Sequence, residues 1–167
     1  RTTVAAALAV DDGEIALGRH GEARLCHTGD VSRDEPATLH LGADRVHCVM
    51  LPYKFTSADS LDDAAAVATA LGCRYDTIDI APAVEGLYAM TAPMFAGRAR
   101  DLAEENIQSR VRGTTLMAIS NKFGSMLVTT GNKSEMSVGY ATIYGDMNGG
   151  YNPIKDLYKM EVFRLCQ

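Results

Sequence analysis

Cysteine is scarce in this sequence and never occurs as a closely spaced pair. The four cysteines stand at positions 26, 48, 73 and 166, with no Cys-x-x-Cys spacing among them. Zinc sites and disulfide frameworks both rely on tighter spacing, so we expect neither. Free thiols persist in a reducing compartment, which predicts a cytoplasmic protein.

Long apolar runs and an excess of positive charge are also missing. No run approaches the roughly 18 residues that a membrane span requires. The apolar stretch at residues 4–10 is too short for a signal peptide, so we expect no membrane association. Lysine and arginine number 16 against 21 acidic residues, a net charge of -5. Nonspecific nucleic-acid binding needs a basic face, and we therefore expect none.

The remaining composition is that of a globular protein. Hydrophobic residues make up 47% and charged residues 22% of the 167 positions, enough for one domain or for a fragment of a larger one. The four histidines all lie within the first 47 residues. No Ser-His-Asp or Cys-His pattern links them to a nucleophile.

The order of elements after the first quarter of the chain predicts an α/β fold. Residues 46–51 are a continuous apolar run, typical of a parallel strand covered on both faces. Ser57 or Ser60 can cap the following helix, and Gly72 can end it. Residues 74–80 then form a second strand. This βαβ order predicts a layered, Rossmann-like parallel sheet flanked by helices.

Four further elements are expected towards the end of the chain. A short helix lies before a break at Pro93, and a longer helix starts at Asp101 and is interrupted near Gly113. A third strand covers residues 125–129, and a last helix covers residues 159–166.

Residues 1–40 are β-type in pattern but contain no recognisable motif. Candidate strands lie at residues 3–10, 14–17 and 23–26, with a hairpin signal at Asp12-Gly13. We treat residues 1–40 as an unassigned β-rich segment and residues 41–167 as the domain.

Polar and glycine residues concentrate after the predicted strand 125–129, at the strand end where open α/β sheets bind ligands. Thr130 offers a hydroxyl, and Gly131 permits close approach of phosphate or ribose. Thr-Gly-Asn is equally ordinary turn chemistry. Glu135 could hold magnesium against phosphate oxygens. Alternatively, it could be an acid that interacts with a helix dipole.

Two arginines are candidate anion ligands. Arg110 and Arg112 diverge by roughly 200° on a regular helix, so they meet at one dianion only if the helix frays at Gly113. The alternative is one solvated arginine and one paired with a nearby glutamate.

Three more charged residues lie in or after a glycine-rich loop. Asp146 could accept hydrogen bonds from an amide, a ribose or incoming ammonia, and Lys159 could neutralise charge on a transferring phosphoryl or adenylyl group. Lys155 would share a helical face with Lys159. The alternative is a solvated loop with two surface lysines.

Residues 41–167 resemble the synthetase domain of the NAD synthetase family, in its glutamine-dependent bacterial form. The resemblance is carried, in the family's order, by Leu-Gly-Ala-Asp-Arg-Val (41–46), Leu-Pro-Tyr-Lys-Phe-Thr-Ser (51–57), the helix segment 101–113, Thr-Gly-Asn-Lys-Ser-Glu (130–135), and Tyr-Gly-Asp through Pro-Ile-Lys-Asp (144–156). These segments are spread over residues 41–167, which make up about three quarters of the chain.

The resemblance implies a reaction and its cofactors. ATP and Mg²⁺ activate the nicotinate carboxylate of deamido-NAD as an adenylate, with release of pyrophosphate. Ammonia, free or from a glutaminase domain, then gives NAD and AMP. A homodimer or higher homo-oligomer is also implied.

The resemblance also implies roles for individual residues. These are ATP contact by Thr130, adenine packing by Leu51 and Pro52, magnesium ligation by Glu135, phosphate binding by Lys159, catalysis by Lys159 and Asp146, and contact with the dinucleotide by Arg110, Arg112, Asp146 and Lys155.

Two departures from the family pattern qualify these expectations. The family's Ser-Gly-Gly-x-Asp-Ser phosphate loop is absent before residue 41, and so is its C-terminal substrate segment. We therefore expect a piece of a longer protein, or a catalytically dead chain if the loop is truly deleted. The alternatives are a related ATP-pyrophosphatase, such as a GMP or asparagine synthetase, and a non-catalytic nucleotide-binding or dimerisation module.

Overall fold

The computed structural model describes residues 7–10 and 43–165. The described chain contains four strands and five α-helices, and a 3₁₀ turn (Ala43–Arg45) precedes the second strand. The strands are β1 (Ala7–Val10), β2 (Val46–Met50), β3 (Arg74–Thr77) and β4 (Met126–Val128). The helices are α1 (Ala58–Leu71), α2 (Ala81–Phe95), α3 (Leu102–Phe123), α4 (Lys133–Ser137) and α5 (Lys159–Leu165).

The strands form one four-stranded sheet in the order β3-β2-β1-β4. β2 and β3 are parallel, as the βαβ pattern predicts. β1 lies between β2 and β4 and runs antiparallel to both. The α/β class and the flanking helices are thus confirmed, while the antiparallel central strand was not anticipated. The candidate strands 14–17 and 23–26, the Asp12-Gly13 hairpin and the boundary at residue 40 lie outside the described residues.

The βαβ unit forms as its caps indicate. Ser57 is the N-cap of α1, and its hydroxyl accepts a hydrogen bond from the Ser60 N–H at 3.2 Å. Gly72 ends the helix in the left-handed region at φ 68°, where a side chain would be strained. β3 stops at Thr77 rather than at residue 80, because the chain turns into α2 soon afterwards.

The two middle helices are longer than expected. Pro82 lies in the first turn of α2, where its missing N–H costs nothing. The predicted break at Pro93 is wrong because this proline lies in the last turn, near the natural end of the helix. The predicted interruption at Gly113 is wrong as well. α3 begins at a capping box formed by Asp101 and Glu104 and runs unbroken to Phe123.

The core lies between the sheet and the helices α2 and α3. Its buried members are Val49, Leu51, Tyr53, Ile80, Val84, Val111, Leu116 and Leu127. The predicted last helix is confirmed as α5. Among the described residues, no helix is long and apolar enough to cross a bilayer.

Candidate functional site

A cavity of about 340 Å³ opens beyond the carboxyl end of β4. Charged groups come from Glu135, Asp146 and Lys155, and aromatic rings come from Tyr140 and Tyr151. The other lining residues are small or flexible: Thr129, Gly131, Met136, Ala141, Met147, Gly149, Gly150 and Asn152. Three of the residues singled out from the sequence, at positions 135, 146 and 155, thus meet in one place.

The wall beside β4 is built by close backbone approach. The Gly150 N–H donates to the Leu127 carbonyl at 2.8 Å, and the Thr129 N–H donates to the Tyr151 carbonyl at 2.9 Å. A Cβ at Gly149 would lie 2.5 Å from Thr129 Cγ2 and 2.9 Å from the Leu127 carbonyl oxygen. Glycine is therefore required at position 149 for the loop to run beside the strand.

Glu135 is the N3 residue of the short helix α4. Its Oε2 accepts from the Asn132 N–H at 2.9 Å, and Asn132 Oδ1 accepts from the Glu135 N–H at 3.1 Å. This reciprocal capping box places Glu135 in the first turn of α4, where its carboxylate can also interact with the helix dipole, as the alternative interpretation expects. Since Glu135 also lines the cavity, the two interpretations are compatible.

This arrangement fits a magnesium ion that is bound by few protein atoms. No group of three or more His, Cys, Asp or Glu side chains is placed to ligate a metal in the part of the chain that the structure describes. Magnesium does not need one, because it takes one or two carboxylates with phosphate and water oxygens. Glu135 Oε1 is free of hydrogen bonds to the described residues, so it is the atom that would take that place.

Asp146 organises its own loop. Its Oδ1 accepts from the Thr142 N–H at 2.7 Å and from Ser109 Oγ at 3.2 Å. The Asp146 N–H donates back to Ser109 Oγ at 3.1 Å. The side chain is exposed and lines the cavity. The loop therefore holds a carboxylate at the cavity, braced on α3.

Gly113 is where α3 and this loop come closest. A Cβ at Gly113 would lie 2.5 Å from Asn148 Nδ2 and 2.7 Å from the Gly145 carbonyl oxygen. Gly145 in turn packs against the Ser109 side chain. The glycine in α3 thus admits the loop rather than fraying the helix.

Arg110 and Arg112 do not converge, as expected for a regular helix. Arg110 Nε donates to the Ile143 carbonyl at 3.2 Å on the loop side. Arg112 Nε donates to the Leu51 carbonyl at 3.0 Å at the end of β2. Burial lowers the pKa of the Arg112 guanidinium. The convergence on one dianion that required fraying is not seen.

The remaining candidates lie beside the cavity rather than in its lining. Thr130 stands between two lining residues, Thr129 and Gly131. The Lys159 N–H donates to Ser134 Oγ at 3.1 Å, which ties the start of α5 to α4. Its ammonium lies 5.8 Å from the Phe163 ring centre. Lys159 is not part of the cavity lining.

The end of β2 also lies outside the cavity lining. Leu51 is only 2% exposed and belongs to the core. The Pro52 carbonyl accepts from the Ile80 N–H at 3.2 Å. Leu51 is buried as a whole residue and its carbonyl accepts from Arg112, so the half-buried Pro52 is the one of the two that a ligand could reach.

Several polar residues around the cavity were missed in the sequence. Asn132 carried a usable signal, since Asn-x-x-Glu is a capping-box pattern. Asn106 Oδ1 accepts from Thr142 Oγ1 at 3.0 Å, and Asn152 Nδ2 donates to the Gly131 carbonyl at 2.9 Å. Ser109 carried no signal, because its partner is 37 residues away.

A partly parallel α/β sheet with a polar cavity at a strand's carboxyl end is the architecture of nucleotide-binding α/β proteins. Residues 34–167 match the family described as NAD synthase. The chain therefore belongs to the NAD synthase family.

Relatives and solved structures agree with this assignment. The glutamine-dependent NAD(+) synthetase of Rhodobacter capsulatus is 62% identical over 127 residues, which are 76% of this chain and 23% of the relative. The chain thus spans about a quarter of the length of the curated relatives it matches.

Two solved structures show the same fold. The glutamine-dependent NAD+ synthetase of Acinetobacter baumannii, in complex with ADP, aligns with a TM-score of 0.76 and 47% identity over 77% of this chain and 24% of that one. The NH3-dependent NAD synthetase of Campylobacter jejuni, in complex with nitrate, gives 0.69 and 28% over 77% of this chain and 54% of that one.

Proposed function

We propose that this chain forms part of a synthetase that converts deamido-NAD to NAD in an ATP-dependent amidation. The observation that carries the proposal is the family match over residues 34–167. The cavity beyond β4 supports it, since it brings two carboxylates and an ammonium to a strand end. The substrate carboxylate would attack the α-phosphate of ATP to give an adenylate and pyrophosphate, and ammonia would then displace AMP to form the amide.

Each candidate residue has a place in this reaction. Glu135 would hold Mg²⁺ through Oε1, and the ion would neutralise phosphate charge. Thr130 would contact ATP, the end of β2 at Leu51 and Pro52 would border adenine, and Lys159 would reach the phosphates by moving away from the Phe163 ring.

The dinucleotide side of the site is formed by α3 and the 142–148 loop. Asp146 orients the nicotinate end or the incoming ammonia through its carboxylate, and Lys155 offers the substrate a positive charge across the cavity. Arg110 and Arg112 contribute mainly by fixing the loop and the end of β2, since both guanidinium groups already donate to main-chain carbonyls.

The nitrogen source and the setting are inferred from relatives and composition. Ammonia attacks the adenylate, and a glutaminase part supplies it, as the names of the glutamine-dependent relatives suggest. We place the reaction in the cytoplasm, consistent with the free thiols of Cys48 and Cys73. Exposed apolar residues of α2, Met90 and Met94 among them, favour a homodimer or higher homo-oligomer.

A second candidate function is a non-catalytic nucleotide-binding or dimerisation module. The direction of β1 favours it. β1 is antiparallel to β2 and β4. The carboxyl end of β1, at Val10, therefore lies at the amino end of β4, whereas the cavity lies beyond the carboxyl end of β4. A phosphate-binding loop that followed β1 would emerge on the wrong side.

A replacement experiment separates the two candidates. The 127 aligned residues of the Rhodobacter capsulatus relative are exchanged for those of this chain, and NAD formed from deamido-NAD, ATP, Mg²⁺ and ammonia is measured. Turnover near that of the parent supports the synthetase. A folded but inactive chimera supports the module. Ammonia and glutamine as alternative donors test the nitrogen source.

A further inference from the structure

Within the described residues, one face of α3 makes the hydrogen bonds that join the 142–148 loop to the rest of the protein. Its members are Asn106, Ser109, Arg110 and Gly113, which recur at the spacing of a single helical face. Asn106 binds the Thr142 hydroxyl, and Arg110 binds the Ile143 carbonyl. Gly113 admits the backbone of the loop. Ser109 is the member that contacts Asp146 directly.

The loop depends on these polar contacts because it buries little apolar surface. Ile143 is 62% exposed and Tyr144 is 75% exposed. Tyr144 also has a positive φ of 62°, a conformation that a tyrosine adopts only when its surroundings hold it. Loss of the contacts with α3 would therefore release the loop locally, while the core remains folded.

The Ser109 hydroxyl acts in both directions. It accepts from the Asp146 N–H and donates to Asp146 Oδ1, so it fixes both the main chain and the carboxylate. These bonds engage Oδ1, and within the described residues Oδ2 has no protein partner. The hydroxyl thereby leaves one oxygen of Asp146 available to a ligand.

We propose that Ser109 is a positioning residue, which sets Asp146 and the 142–148 loop over the cavity for the dinucleotide substrate. The proposal rests on the proposed function for the identity of that substrate. We call the two hydrogen bonds between Ser109 and Asp146 the latch. The latch is present in the protein without ligand.

The first test is amide hydrogen exchange by NMR on the purified chain, without ligand. In Ser109→Ala, the amides of Thr142 and Asp146 should exchange about tenfold faster, the change expected for loss of ~1.4 kcal/mol. The amides of β2 should keep their rates. Thr114→Ala removes an exposed hydroxyl from the same helix and should change neither set. Unchanged exchange at Thr142 and Asp146, or equal acceleration throughout β2, overturns the latch.

The second test measures kinetics in the active chimera. Ser109→Ala should raise the KM for deamido-NAD about tenfold and leave the KM for ATP unchanged. An unchanged KM for deamido-NAD overturns the positioning role. If the unmutated chimera makes no NAD, the proposed function fails, and the exchange experiment still decides the latch.

Discussion

The segments that follow β2 and β4 both begin at the carboxyl ends of strands, on the same side of the sheet. Their polar groups, however, have different partners. After β2, the Tyr53 hydroxyl donates to Glu85 Oε1 at 2.5 Å, and the Leu51 carbonyl accepts from Arg112. After β4, carboxylates and an ammonium line a cavity. The first segment is bonded to the protein, whereas the second keeps groups available for a ligand.

Burial explains the difference. Leu51 and Tyr53 are 2% and 4% exposed, so their polar atoms must find protein partners. Asp146 and Lys155 are exposed and lie in glycine-rich surroundings. The carboxyl end of a strand is therefore not sufficient for a binding site. The polar groups there must also be free of protein partners.

The largest expected effect comes from Glu135. Glu135→Gln keeps the capping bond to Asn132 and removes the charge that would hold magnesium. NAD formation by the chimera should fall about 100-fold, with the thermal unfolding midpoint unchanged. Glu104→Gln is the matched control, because Glu104 has the same capping role in α3 and is not part of the cavity lining. Equal activity of the two variants would contradict a role for Glu135 beyond capping.

The next effect concerns packing between α3 and the loop after β4. Gly113→Ala places a methyl group against main-chain atoms and should destabilise the protein by about 2 kcal/mol. Gly86→Ala in α2 meets nothing within 4 Å and should stabilise it by up to ~1 kcal/mol, since alanine favours helices. Urea unfolding measures both. A neutral Gly113→Ala would show that the loop is not seated on α3.

Arg112 contacts the segment after β2 and Arg110 contacts the loop after β4, so substitutions of the two arginines compare how much each contact stabilises the protein. Arg112→Ala removes the donor of the Leu51 carbonyl and should cost about 1–2 kcal/mol. Arg110→Ala removes an exposed contact with Ile143 and should change stability by less than about 0.5 kcal/mol. Equal losses in urea unfolding would mean that the two strand ends are not held differently.

The smallest effect is a pH dependence at the β2 end. The hydrogen bond from Tyr53 lowers the pKa of Glu85. The folded pKa lies below the unfolded one, so this stabilisation is complete above the ordinary glutamate pKa of about 4.3 and is lost as the pH falls through the folded value. The unfolding midpoint of Glu85→Gln should therefore approach that of the wild type as the pH falls from 6 to 3. Asp76, whose pKa is also lowered, is present in both proteins and cancels. A constant gap would contradict the assignment.

Local signals predicted much of the fold. The apolar run of β2, the Ser57 cap and the Gly72 terminus are each encoded within a few residues, and all three are confirmed. The prediction of a helix break at Gly113 was wrong because this glycine makes room for a loop that lies more than 30 residues away in the sequence. The position and direction of β1 likewise depend on strands distant in the sequence.

The same difference between local signals and long-range contacts applies to the candidate site. Positions 135, 146 and 155 could be singled out because their residue types and motif lie close together in the sequence, and they do share the cavity. The partners that hold them could not be predicted. Ser109 and Asn106 are ordinary polar positions on a helix until the fold brings the loop to them.

Hydrogen exchange with and without ligand tests the distinction between the two strand ends most directly. ATP, Mg²⁺ and deamido-NAD are added to the purified chain, and protection is mapped by mass spectrometry. We expect new protection in residues 129–152, with at most the main chain of residues 51–52 protected at the other strand end. Protection that spares residues 129–152, or no protection at ligand concentrations that saturate the chimera, would contradict this expectation.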